Sequence, residues 1–318
     1  MAYRKFGNTD LEVSEICFGP MRFSAKDPGS DEQSGAGKRA LERALERGVN
    51  FVHSSYEYGT RWAIGDVLKD HHKRHDIHHI IKVPVPDFDD GGRFDAVKFR
   101  LRVEEALSDL HTERIAVLQH LQRARPNEDP LRVPDIAAVN EEMLTVFAKL
   151  KEEGKVGYLT TFPYSPGFAA QAMPTGAFDG MVAYYNLIEL EMAESFPAME
   201  ERGQGFFCIR PFMGGLLTDA RADRDKLPPG DRMLDDIRRP AYARLALLQQ
   251  ELEQPESLTA FAIKFALTHP IVTSLIVGLN TPEQVDEILD AANGDYPDRK
   301  VFDQALAIFR LHGAVEGA

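Results

Sequence analysis

Tyr58, Lys82 and His120 stand at or just past the C-terminal ends of three apolar runs, and together they are parts for moving a proton at a carbonyl. A phenol is a poor acid at neutral pH unless a neighbouring cation eases loss of its proton. A lysine beside it supplies that charge, and an imidazole donates a hydrogen bond to a substrate oxygen. The densest of the three segments is Phe51-Val52-His53-Ser54-Ser55-Tyr56-Glu57-Tyr58-Gly59, where a strand-forming start gives way to ionisable side chains and closes on glycine. Alone, Tyr58 reads as a capping or core phenol and Lys82 as a solvated strand end. Three such residues at three strand ends favour a site. A metal centre from His53, His120 and Glu57 finds no support in their spacing.

The elements that must position these residues alternate along the chain. A hairpin is expected over Tyr3 to Val13, then a strand Glu15–Gly19 and a helix Ala36–Gly48. Strand Val49–His53 precedes helix Trp62–Lys73, strand His79–Lys82 precedes helix Asp95–Leu110, and strand Ile115–Gln119 precedes helix Ala137–Glu153. Strands Val156–Thr161, Gly180–Tyr185, Gly205–Arg210 and Val272–Gly278 follow. Helices are expected at Gly167–Met173, Leu187–Arg202, Tyr242–Glu253, Leu258–Thr268, Pro282–Asn293 and Val301–Leu311. In the third helix Val97, Leu101, Val103, Ala106, Leu107 and Leu110 are read as the buried side. Residues Leu217 to Pro240, rich in Asp, Arg, Gly and Pro, form either a loop over the site or a disordered flap.

Eight strands, each followed by a helix and several of them continuous apolar runs, imply a parallel sheet covered by helices. The economical α/β architecture is a single closed (β/α)8 TIM barrel spanning the chain, with an N-terminal β-hairpin and a C-terminal extra helix. An open doubly wound sheet is disfavoured because no Gly-x-Gly-x-x-Gly follows the first strand. At 318 residues the length suits such a barrel. The net charge of −13, from 37 basic and 50 acidic side chains, argues against a nucleic-acid or anionic-membrane partner. Cys17 and Cys208 fall in expected strands and read as buried free thiols. With no long apolar run and no signal-like N-terminus, a cytoplasmic location is expected. Helix Val301–Leu311 offers an apolar face to the barrel or to a second subunit.

With these motifs in order, the chain resembles the aldo-keto reductases from about Tyr3 to Asn293. The family's Gly-Thr-Met after the first strand is echoed by Gly19-Pro20-Met21, and its Asp-Thr-Ala-x-x-Tyr-Gly by His53 to Gly59. Its strand-end Lys and His fall on Lys82 and His120. Glu153-Gly154-Lys155-Val156, Tyr185-Asn186-Leu187, Gly214-Gly215-Leu216-Leu217 and Gly278-x-x-x-Pro282-Glu283-Gln284 are further landmarks. The resemblance implies hydride transfer between NADP or NAD and a small carbonyl or sugar-like substrate. Tyr58 is then the acid, Lys82 its tuner, His120 the oxyanion donor and His53 an atypical fourth member. Tyr56 and Trp62 are candidates to line the substrate pocket.

The cofactor contacts implied by the same resemblance are Gly19 and Met21 after strand one, Thr160 on strand five, and Arg210, Phe212, Gly214 and Leu217 after strand seven. Gly278, Asn280, Gln284 and Glu287 complete them after strand eight, where Thr281-Pro282-Glu283-Gln284 forms a helix cap suited to a phosphate. The chain also departs from the family. His53 replaces the Asp that pairs with the Lys, so an uncompensated, more readily neutral Lys82 is expected, with a redox step retuned relative to a His53→Asp variant. Phe162, Pro163 and Val182 stand where Ser, Asn and Gln hold the nicotinamide carboxamide. Asn280 replaces an Arg that reads the 2′-phosphate, which leaves NAD open. Two further readings keep the barrel: a lyase, epimerase or tautomerase working without a nicotinamide, and a catalytically weak binding or regulatory subunit.

Overall fold

The computed structural model describes residues 1–20, 31–252 and 255–312. Strands β1 (Tyr3–Lys5) and β2 (Glu12–Ser14) form an antiparallel hairpin. The next eight are parallel and close into a barrel: β3 (Ile16–Gly19), β4 (Phe51–Ser55), β5 (His78–Pro84), β6 (Ile115–Leu121), β7 (Val156–Thr161), β8 (Gly180–Tyr184), β9 (Gly205–Ile209) and β10 (Val272–Gly278). Strand β10 pairs with β3 to complete the ring. The expected barrel, hairpin and C-terminal helix are all present.

Alternate residues on each strand face opposite sides, and two hydrophobic clusters record the two sides. Ile16, Phe18, Val52, Ile81, Val83, Leu118 and Leu159 join the layer between strands and helices. Cys17, Phe51, Ile80, Val117, Leu121, Phe162, Val182, Phe207 and Ile276 fill the lumen with Phe6, Leu11 and Val13 of the hairpin region. Phe6 stacks on Phe207 at 4.4 Å and closes the bottom of the barrel. Gly205 makes room for it, since a Cβ there would lie 2.3 Å from the Phe6 ring. With one end plugged, chemistry is confined to the C-terminal mouth.

Several helices differ from expectation. Helix Ala96–Asp109 starts after Asp95, whose side chain accepts from Lys98 N. It buries Phe99, Val103, Ala106 and Leu107 but leaves Val97 and Leu101 exposed, because the buried stripe is centred one residue away from the one expected. The expected helix Leu187–Arg202 is broken. Asn186 Oδ1 accepts from Ile188 N and Glu189 N at 3.0 Å, a turn that competes with helix, and the α-helical part is only Phe196–Glu201. The Leu217–Pro240 excursion is a clasp rather than a flap: three short turns are capped by Asp223, Asp231 and Asp235, and Arg232 donates to Gly214 O at 2.7 Å. Helix Arg299–His312 packs on the barrel, with Phe302 and Ala305 buried and Phe302 6.0 Å from Phe265.

Candidate active site

Period-two alternation carries His53 and Ser55 of β4 into the lumen with Phe51, and Lys82 of β5 with Ile80. Ser55 and Lys82 are register partners, so the lysine rises beside the turn that follows β4. That turn is shaped by Ser55, whose hydroxyl accepts from Glu57 N at 3.2 Å, and by Tyr56 N donating to Lys82 O. The result brings Lys82 Nζ over the Tyr58 ring, 4.6 Å from its centroid. The His53 and Tyr58 rings are 5.9 Å apart. Three of the four expected catalytic side chains therefore meet at one edge of the mouth.

His120 does not join them. It lies on the outer face of β6, where its ring meets Phe99 at 6.1 Å and Phe178 at 6.4 Å, and its Nε2 donates to Val85 O at 2.7 Å. The lumen positions of β6 are Val117, Gln119 and Leu121. Gln119 is the register partner of Lys82, and its Oε1 lies 3.2 Å from His53 Nε2. A strand buried on both faces carries no polar alternation to tell a reader which side a histidine takes.

Sequence reasoning also passed over the charges around Lys82. Glu57 Oε2 lies 3.1 Å from Lys82 Nζ, and Arg123 chelates Glu57 at 2.6 and 3.0 Å. Arg123 reaches Asp87 at 3.2 Å and donates to the Tyr164 hydroxyl at 2.8 Å, so four consecutive loops above the barrel are tied together. Partial burial pushes the Glu57 carboxyl up, but the Arg123 hydrogen bonds and the Lys82 charge outweigh it and hold it at about 2. Burial, reinforced by Glu57 and Tyr184, pushes the Tyr58 phenol well above its ordinary range despite Arg123 nearby. Tyr58 is thus a protonated acid at neutral pH.

Burial, then the Lys82 charge, lowers His53 to about 3 against the hydrogen bond with Gln119. Burial also lowers His79 and His120 to about 4. Each of these histidines takes up a proton near pH 6.5 when unfolded but not when folded, so the unfolded chain binds more protons between about pH 6.5 and 4. Stability is therefore complete above that window and falls as pH drops through it. By pH 5 each of the three costs on the order of 2 kcal/mol. Chemical-denaturant midpoints between pH 7.5 and 5 check this; a flat profile contradicts it.

The remaining positions fall into two groups. At one side of the mouth, Phe162 packs edge-on against Tyr164 and Tyr184, and Arg210 lies 4.4 Å over the Tyr184 ring while paired with Glu189 at 3.0 Å. Val182 is inside the lumen, and Thr160 spends its hydroxyl on Leu118 O. Phe212 is half-buried, Leu217 is buried, and Gly214 adopts φ +72° under the clasp. At the other side, Gly19 and Gly278 are register partners: Gly278 is exposed, where a Cβ would meet only Gly19 O at 3.8 Å, whereas Gly19 is buried, where a Cβ would meet Val277 O at 2.9 Å.

Beyond Gly278, helix Pro282–Ala291 begins with a reciprocal cap: Thr281 accepts from Gln284 N at 3.3 Å and Gln284 Oε1 accepts from Asn280 N at 2.9 Å. Asn280 Oδ1 is buried there without a partner, and Glu287 is exposed on the same helix. Met21 lies outside the described residues. Tyr56 is sandwiched by Arg102 at 4.2 Å and Arg61 at 5.2 Å, and Trp62 packs in the helical layer beside Lys38. Neither enters the lumen. Among the described residues no group of three metal-ligating side chains occurs, and no helix is long and apolar enough to cross a membrane.

Comparison with known proteins agrees with this architecture. An uncharacterized oxidoreductase of Bacillus subtilis, YqkF, is 24% identical, with 98% of this chain and 96% of that protein aligned. L-galactose dehydrogenase of Arabidopsis thaliana is 24% identical, over 89% of this chain and 86% of its own. The solved structure of aldo-keto reductase AKR11C1 from Bacillus halodurans, in its holo form, superposes with a TM-score of 0.74 at 22% identity, covering 97% of this chain and 96% of that one. The aldo/keto reductase family profile matches residues 15–304, and the chain belongs to that family.

Proposed function

We infer that the protein is an NAD(P)-dependent oxidoreductase acting on small carbonyl or sugar-like substrates, with Tyr58 as the proton donor. The observation that carries this reading is the Lys82 ammonium beside the Tyr58 ring at the open end of a plugged barrel. When bound, a reduced nicotinamide would supply the hydride to the carbonyl carbon. Tyr58 gives its hydroxyl proton to the carbonyl oxygen, and Lys82 stabilises the phenolate left behind. Gln119 replaces His120 in this proposal as the lumen-facing donor to the oxygen, its amide oriented by His53. His53 stays neutral and acts through that hydrogen bond rather than through charge.

The residues present fit a dinucleotide unevenly. The bare, exposed backbone at Gly278 next to a helix start suits a pyrophosphate. The orphaned Asn280 Oδ1 suits a hydroxyl or amino donor of the adenosine half. On the ring side, Tyr184 and Arg210 offer stacking surfaces in place of carboxamide hydrogen bonds. The absence of a cationic reader at Asn280 favours neither NADP nor NAD. Steady-state assays with NADPH and NADH against short aldehydes, α-dicarbonyls and aldoses test the reading: turnover of at least one class supports it. Activity without added nicotinamide on a substrate that is isomerised or cleaved would replace it with acid–base chemistry at Tyr58 and Lys82.

A further inference from the structure

The histidine at position 53 does not leave Lys82 without a counter-charge. Glu57 Oε2 sits 3.1 Å from Lys82 Nζ, and its own position is fixed by the Ser55 hydroxyl and by both Arg123 contacts. Facing Lys82 are His53 from β4, Glu57 and Tyr58 from the turn after it, and Gln119 from β6. Arg123 and Tyr164 come from the loops after β6 and β7, and Asp87 is held on the far side of Arg123. Among the described residues Glu57 is the one carboxylate within ion-pair reach of Lys82. His53 is turned to Gln119 instead.

This inference rests on the functional reading above. We propose that Glu57 is a positioning residue that keeps Lys82 charged against Tyr58, the negative charge having moved from strand position 53 to the turn four residues later. Over the mouth Glu57 bridges Lys82 and Arg123, and Asp87 bridges Arg123 and Arg102, so three cations share two carboxylates. The lysine is then compensated without a carboxylate in the lumen. A Glu57–Arg123 brace with no bearing on Lys82 is the competing explanation.

The two differ in how freely Lys82 reacts as an amine. Limiting acetic anhydride at pH 8, with peptide mass spectrometry of Lys82, reads the neutral fraction in the cofactor-free protein. Losing an opposite charge at this range raises that fraction, so Glu57→Gln is expected to label Lys82 about tenfold faster or more. Glu57→Asp should stay within about twofold of the wild type. The double variant His53→Asp with Glu57→Gln should return labelling toward the wild-type rate, because a carboxylate is again beside the amine. Equal labelling in Glu57→Gln and wild type, or a double variant as reactive as Glu57→Gln, overturns the proposal. Carbonyl-reduction assays on the same proteins should show kcat falling in Glu57→Gln with KM little changed. If labelling follows the pattern while the wild type reduces no carbonyl, the functional reading fails and the Glu57–Lys82 assignment stands.

Discussion

Tyr58→Phe is expected to lower kcat for carbonyl reduction by about 10²- to 10⁴-fold while leaving dinucleotide affinity nearly unchanged. The substitution removes one hydroxyl and keeps the ring against Lys82, so packing and cofactor contacts survive while the proton donor is lost. The same phenol sets the pH behaviour of the reverse reaction. Alcohol oxidation needs the phenolate, and burial together with Glu57 pushes that ionisation well above the ordinary tyrosine range. Oxidation should therefore keep rising with pH past 10, whereas reduction is supported across neutral pH. A Tyr58→Phe enzyme that retains wild-type kcat would remove Tyr58 from the chemistry.

The second large effect is expected at Arg123. Its side chain is 6% exposed and holds Glu57, Asp87 and the Tyr164 hydroxyl at once. Arg123→Met takes one of two cations from Glu57, which keeps Lys82, and one of two from Asp87, which keeps Arg102, and it leaves the Tyr164 hydroxyl without its donor. Breaking a buried ion pair from one side costs about 3–5 kcal/mol, and water reaching Glu57, which is 34% exposed, moves the figure toward the lower end. The control is Arg100→Met. Arg100 and Glu153 make an equally short pair at 2.6 Å, but both are more than a third exposed, so solvent screening leaves a far smaller expected cost. Urea unfolding of the two variants decides the matter; equal losses would mean that the Arg123 network does not brace the mouth.

The fold was legible because alternating strands and helices leave few solutions, and Lys82 and His53 were legible as polar residues towards the C-terminal ends of strands with apolar stretches before them. Tyr58 was legible through its place in the turn after β4. His120 was not. Strand Ile115–Leu121 is buried along its whole length, so nothing in Ile-Ala-Val-Leu-Gln-His-Leu distinguishes lumen from helix face except the neighbouring Gln119, a second polar residue on the opposite side. Glu57 was visible but read only as a would-be metal ligand, since the turn that carries it back to Lys82 depends on the Ser55 hydroxyl and on Arg123, 66 residues away. The Val97 and Leu101 positions show the same limit: an apolar stripe on a helix fixes a face only within one residue. Long-range pairing, more than propensity, decided each of these cases.

The central claim is that this altered mouth still holds a nicotinamide dinucleotide against Tyr58 and Lys82. Isothermal calorimetry with NADPH, NADP, NADH and NAD tests it most directly, since Trp62 lies in the helical layer and need not report on the lumen. Micromolar binding of at least one reduced form, about −8 kcal/mol, is the predicted result, and the stronger ligand of each pair identifies the preferred 2′ group. No heat of binding from any of the four would contradict the account.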